Sequence, residues 1–213
     1  MIEAGVAIDG SAEHDLETPF NVAVRQQAFA LADRLLEFGA DINATTTKSS
    51  LIRSPFPLTG LGHMVALNAR YSTPSLRYLL TNYMDAIDFI VEPERELSVL
   101  HLAAIVPQGL KTFSGSNINR FDFDWETNRS ITHELLEWYT QPGQVNMKSS
   151  GLRGKTALHL AVERANVGVV EELIKAGADR NIKSDDGETA GALLKKIWAG
   201  SSVGVEMGKL LVR

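Results

Sequence analysis

Three features of this 213-residue chain could do chemistry: a Gly-Lys-Thr triplet, five histidines and a run of alternating carboxylates. The triplet Gly154-Lys155-Thr156 closes the stretch SSGLRGKT. A phosphate-binding loop reads G-x-x-x-x-G-K-[ST], because its glycines let backbone N–H groups cradle the phosphates that the lysine then reaches. Ser149 stands where the first glycine is required, so the cradle is incomplete. GLGH, from Gly60 to His63, lacks the rest of a dinucleotide fingerprint. Asp122, Asp124 and Glu126 alternate as oxygen ligands would, but no glycine-turned calcium loop surrounds them. His14 and His133 fit no metal-ligand spacing, and with no cysteine in the chain there is no thiol nucleophile or thiolate zinc site. The expectation is a chain that is not an enzyme and carries no metal or cofactor.

The remaining histidines point to helix starts rather than to a reaction. His159 follows Thr156 by three residues, and His101 follows Ser98 by the same interval. A hydroxyl at the N-cap accepts an early helical N–H, and a side chain three residues on can reach back to the cap, here with imidazole in place of Glu. His63 reads as a displaced copy of that position. After Thr156 the apolar residues Leu158, Ala161 and Val162 share one helical face, and Val169, Val170, Leu173 and Ile174 make a stripe on a second helix. Gly177 ends that helix, and Asp186-Gly187 suits a tight reversal before the next hydroxyl, Thr189. Gly154 recurs as Gly187, an offset of 33, and Thr18 to Gly39 repeats the interval of 21 from Thr156 to Gly177. Pro19 takes the first helical position, where its missing N–H costs nothing.

The stretch TALHLAVERANVGVVEELIKAGADRN resembles an ankyrin repeat, whose units of about 33 residues open on Thr-Pro-Leu-His-x-Ala. The resemblance implies an all-α fold, a solenoid of helix-turn-helix units with projecting β-turn fingers, here as a single domain over 1–213. Repeats are expected near 11–43, 57–90, 94–146 and 151–181, with a C-terminal cap over 184–213 in which Lys195 and Lys196 face water. The opening MIEAGVAIDG matches the exit of an outer helix, so residues 1–10 are expected to be a truncated remnant of a longer array and the least stable end of the stack. The third repeat carries some 20 extra residues, an insertion near 107–130 whose Phe113, Phe121, Phe123 and Trp125 must pack on the repeats or on a partner. The stretch TTTKSSLIRSPFP after Ala44 reads as an expanded finger loop, and the second repeat, GLGHMVALNARYSTPSL, reads as having lost its Thr-Pro start.

Stacked units of this kind present a concave face of finger tips and inner-helix residues. In ankyrin repeats contacts lie before the finger glycine, before the cap and on the second turn of the inner helix. Carried onto this chain, those positions are Arg25 and Gln26 in the first repeat, then Arg153, Lys155, Glu163 and Arg164 in the best-matched one, then Asp185, Asp186 and Glu188 in the last finger. The expected function is non-catalytic binding of a protein partner or a neighbouring domain by a monomer. The competing reading is a regulatory domain of a larger enzyme or signalling protein with a small-ligand pocket near the 107–130 insertion. Tyr71, Tyr78, Trp138 and Tyr139 suit either interface anchoring or outer-helix packing. A net charge of -5, from 26 acidic and 21 basic residues, argues against nucleic acid. No apolar run reaches the roughly 20 residues that a membrane span needs, and the acidic start, Glu3 and Asp9, is unlike a signal peptide. The expectation is an intracellular, cytoplasmic protein without a membrane partner. Asn43-Ala44-Thr45 and Asn128-Arg129-Ser130 match the glycosylation pattern, which is too short to carry weight.

Overall fold

Hydroxyl side chains start several helices of this chain. The structure, a computed structural model, describes residues 8–10, 17–48, 52–67, 73–105, 111–112, 125–138 and 143–212. His14, Tyr71, Tyr139 and all but two residues of the stretch 106–124 lie outside them, and with that stretch lies the expected ligand pocket. The helices are α1 (Pro19–Arg25), α2 (Phe29–Glu37), α3 (Gly60–Leu67), α4 (Thr73–Tyr83), α5 (Val99–Ile105), α6 (Trp125–Trp138), α7 (Ala157–Glu163), α8 (Val167–Lys175), α9 (Ala190–Trp198) and α10 (Ser202–Val212). The short strands are β1 (Thr46–Lys48), β2 (Ile52–Leu58), β3 (Ile90–Glu92), β4 (Leu97–Ser98) and β5 (Lys111–Thr112). The architecture is thus the expected helical repeat, with short β elements added. The chain forms two compact units, residues 1–92 with 110–122, and residues 93–109 with 123–213.

In the first unit Thr18 is extended and its hydroxyl accepts the Asn21 N–H at 3.2 Å, with Pro19 opening α1. A turn with Gln27 at φ 59° brings α2 back against α1. Gly39, at φ 92°, ends α2 in a left-handed conformation that glycine adopts without penalty. The stretch expected as a loop after Ala44 is instead an antiparallel hairpin, with Thr46 opposite Leu58 and Lys48 opposite Arg53. β5, from the inserted segment, pairs on the other side of β2 with Thr112 opposite Ile52, giving the order β1-β2-β5.

The start of α3 also differs from the sequence reading. Thr59 supplies the cap hydroxyl, accepting the Gly62 N–H at 3.2 Å. Gly62 therefore holds the place three residues after the cap that imidazole takes elsewhere. A Cβ there would lie 2.9 Å from Val91 Cβ and 3.2 Å from Leu58 Cβ, so the glycine is what lets β2 and β3 close on α3. His63, 1% exposed, is turned away from the cap, and its Nε2 donates to the Thr46 carbonyl at 2.8 Å, fastening β1.

The outer side of this unit is clamped by α2 and α4. Phe29 and Tyr78 stack with ring centroids 4.2 Å apart, and Tyr78 donates to Asp33 at 2.6 Å, with Tyr83 donating to the same carboxylate. The hydrogen bonds from Tyr78 and then Tyr83 hold the Asp33 carboxyl below its usual range. Burial, reinforced by Asp33, pushes the Tyr78 hydroxyl well above the usual phenol range. Tyr78 is therefore a packing residue. The hydroxyl of Ser75 donates to the Val24 carbonyl at 2.9 Å.

In the second unit α5, α7 and α9 pack in succession as an inner row, and α6, α8 and α10 as an outer row. Leu100, Leu135, Leu158, Leu173 and Met207 are fully buried along these rows, and each such side chain stabilises by roughly 1.5–3 kcal/mol. Thr156 and His159 form a reciprocal capping box, and Asn166 caps α8 by accepting the Val169 N–H at 3.2 Å. The last pair leaves Lys195 and Lys196 exposed, with Ile197 42% and Val205 58% exposed beside them.

The outer row is also tied by charge. The buried carboxylate of Glu172 accepts from Arg129 at 3.0 Å, His133 at 3.0 Å and Lys175 at 3.2 Å. Burial alone would raise its pKa, but hydrogen bonds from Arg129, His133 and Lys175 outweigh burial and leave it lowered. Its contribution is therefore present above the unfolded carboxyl pKa and is lost as pH falls through the lowered folded one. Glu172→Ala is expected to cost about 1–3 kcal/mol at neutral pH, because α6 and α8 lose their shared acceptor. The check is chemical denaturation at pH 7 and pH 3, where the gap between variant and parent should narrow in acid.

Candidate recognition surface

Each finger in the second unit is a tight hairpin held by its own backbone. Ser149 N–H donates to the Lys155 carbonyl at 3.0 Å, and Arg153 and Gly154 form the tip at φ 59° and 64°. Ser184 N–H donates to the Glu188 carbonyl at 2.9 Å to close the next finger. The two fingers are joined by Asp185 N–H donating to the Arg153 carbonyl at 2.9 Å, and by the ion pairs Lys148–Asp185 at 3.2 Å and Arg153–Asp186 at 2.5 Å. The Gly-Lys-Thr triplet is thus the returning arm of a hairpin. Its lysine turns onto α7, where Nζ meets both Glu163 oxygens at 2.8 and 3.0 Å.

That last contact recurs. At α1, α7 and α9 the residue before the cap pairs with the residue eight positions later on the inner helix. Glu17 holds Arg25 through two contacts, at 3.1 and 3.2 Å, Lys155 holds Glu163, and Glu188 holds Lys196 at 2.7 Å. The same offsets carry Leu58 and Ala66 at α3, and Leu97 and Ile105 at α5, so the middle positions are apolar where the flanking ones are charged.

The expected contact residues fall in two groups. Arg25 and Gln26 lie in the first unit, the arginine engaged by Glu17 and the glutamine exposed at the end of α1. Arg153, Lys155, Glu163, Arg164, Asp185, Asp186 and Glu188 lie together in the second unit, Arg164 partly buried at the end of α7. Six of those seven are members of the finger and finger-to-helix pairs above. Sequence reasoning missed the partners Glu17, Lys148 and Lys196; the constant offset of eight from the pre-cap residue finds Glu17 and Lys196, while Lys148, paired with Asp185 in the next finger, carries no such signal.

The histidines act between fingers and helices. His101 Nδ1 accepts the Ser98 N–H at 3.1 Å, which leaves Nε2 protonated to donate to the Met147 and Lys155 carbonyls, both at 3.1 Å. His159 does the same, accepting from the Thr156 N–H and donating to the Glu188 carbonyl at 3.0 Å. Burial lowers the His101 pKa to about 4, and burial likewise depresses that of His159. Neither ring is placed for acid-base catalysis, because both nitrogens are spent on neighbouring backbone.

Asp and Asn side chains stitch the finger bases. Asp9 accepts the Asp41 N–H at 3.1 Å, and Asn146 accepts the Asp179 N–H at 2.8 Å. Asn43 Oδ1 accepts the Asp88 N–H at 2.8 Å, while its Nδ2 donates to the Ala86 carbonyl at 2.7 Å. The nitrogen that would carry a glycan in Asn43-Ala44-Thr45 is therefore committed to the fold. His133, which fits no ligand spacing, lies between Glu172 and Glu137 on the outer row. Among the described residues no group of three or more His, Cys, Asp or Glu could hold a metal ion, and no helix is long and apolar enough to cross a membrane.

Helix pairs whose inner members open on hydroxyl caps, joined by projecting hairpins, define a helical-repeat fold. The chain contains ankyrin repeats: models of the ankyrin repeat match residues 15–44 and 153–185. Comparison with curated proteins found no match. Ankyrin repeats generally mediate protein–protein interactions.

Proposed function

We propose that this chain is a protein-binding module whose contact surface is the concave face of finger tips and inner-helix ends, taking a protein partner or a neighbouring domain. The observation that carries this reading is the set of pairs Lys155–Glu163, Arg153–Asp186 and Lys148–Asp185, which fix finger and helix groups before any partner arrives. A surface whose side chains are already ordered pays less entropy on association. Surface ion pairs of this kind contribute little to folding, so their value lies in orientation.

The test is site-specific photo-crosslinking from Arg153, Arg164 and Asp185, with Lys175 on the outer row as the control. Adducts of one defined partner from the first three positions and none from Lys175 are expected. Equal labelling from Lys175 would refute the assignment. Charge reversal at Lys155 and Arg164 is expected to weaken binding of that partner at least tenfold, with helical content unchanged by circular dichroism.

A further inference from the structure

In the second unit every inner-helix joint is fastened by an imidazole. The ring three residues after one cap donates to the carbonyl of the residue before the next cap: His101 to Lys155 at 3.1 Å, and His159 to Glu188 at 3.0 Å. In the first unit the residue at that position is Asn21, and the matching carbonyl is that of Leu58. Asn21 is 5% exposed, and both its Oδ1 and Nδ2 are buried without a hydrogen-bond partner among the described residues. Its amide fills space that a side chain takes elsewhere. A Cβ on Gly60 would lie 2.0 Å from Asn21 Oδ1, whereas Ala157 and Ala190 open α7 and α9. The imidazole of His63 is committed to Thr46.

The outer side of the same joint is fastened well. Ser75 bonds the Val24 carbonyl, Tyr78 stacks on Phe29, and Tyr78 and Tyr83 share Asp33. A joint with an unsatisfied buried amide on one side and a clamp on the other opens from the first side. We propose that the contact between the starts of α1 and α3 is a built-in hinge, pivoting on the α2–α4 clamp. Its opening lets the end of α1, with Arg25 and Gln26, change its angle to the β1–β2 hairpin while the outer helices stay packed.

Hydrogen exchange followed by mass spectrometry on the full chain tests this. Amides of α1 and α3 are expected to exchange at least tenfold faster than those of α2 and α4. The double variant Asn21→His, Gly60→Ala supplies the missing imidazole and the alanine that accompanies it elsewhere, and is expected to slow α1 and α3 at least tenfold with α2 and α4 unchanged. Phe29→Ala is expected to speed α2 and α4. Parent α1 and α3 amides exchanging in step with α2 and α4 would overturn the hinge, and this comparison holds even if the double variant fails to fold. Faster exchange in α1 and α3 that the folded double variant does not slow would overturn the role given to Asn21.

Discussion

Lowering the pH from 7 to 4 is expected to cost the second unit about 3 kcal/mol through His101 alone. The folded ring resists protonation until about pH 4, against an ordinary value of 6.5, because its burial outweighs the bonds to the Lys155 and Met147 carbonyls, which act the other way. The unfolded chain takes up the proton first. Stability is therefore complete above the ordinary histidine pKa, falls as pH drops below it, and levels near the folded value. His159 adds in the same direction. Denaturant unfolding between pH 7 and pH 4 checks this against His101→Leu, which should be weaker by on the order of 3 kcal/mol at pH 7, from stranded cap and finger groups, and should show a flatter pH profile. A variant as pH-sensitive as the parent would mean that another group controls acid unfolding.

The second large effect is expected at Leu173, which is completely buried on α8, the helix that packs against both α6 and α10. Leu173→Ala is expected to remove about 3–4 kcal/mol, the transfer term plus an unfilled cavity. In a stack of near-neighbour contacts the damage should spread to both adjoining helices. Exchange protection should accordingly fall in α6 and α10 as well as α8, while α1 and α2 keep theirs. A loss below 1 kcal/mol by chemical denaturation would show that the outer row is not packed through this side chain.

Much of the fold was legible because its signals are local. Ser98 with His101, and Thr156 with His159, stand at a fixed interval that one helical turn imposes, so the caps could be read without coordinates. Thr59 was missed because glycine fills the imidazole position after it and the histidine has moved one residue on. The β1–β2 hairpin was missed because Pro55 and Pro57 argue against a strand and cannot donate to a ladder. The candidate surface was only half legible. Arg25, Lys155, Glu163 and Glu188 follow from the repeat, but their engagement with Glu17, each other and Lys196 depends on the finger folding over the helix end. Asn21 is the instructive case: in sequence it is one more polar residue after a cap, and its significance lies in the bond it does not make.

Asn43 gives the joint beneath the first finger a chemical lifetime. Its amide offers a hydrogen to the Ala86 carbonyl with one end and takes one from Asp88 with the other, so the side chain must keep both characters. Deamidation to aspartate would replace the giving end with a second oxygen and set two lone-pair-bearing atoms face to face. Asp9, which only receives, is already a carboxylate and has nothing of this kind to lose. Protein ageing in warm alkaline solution would therefore begin to loosen the first unit at one side chain, by a change of a single dalton.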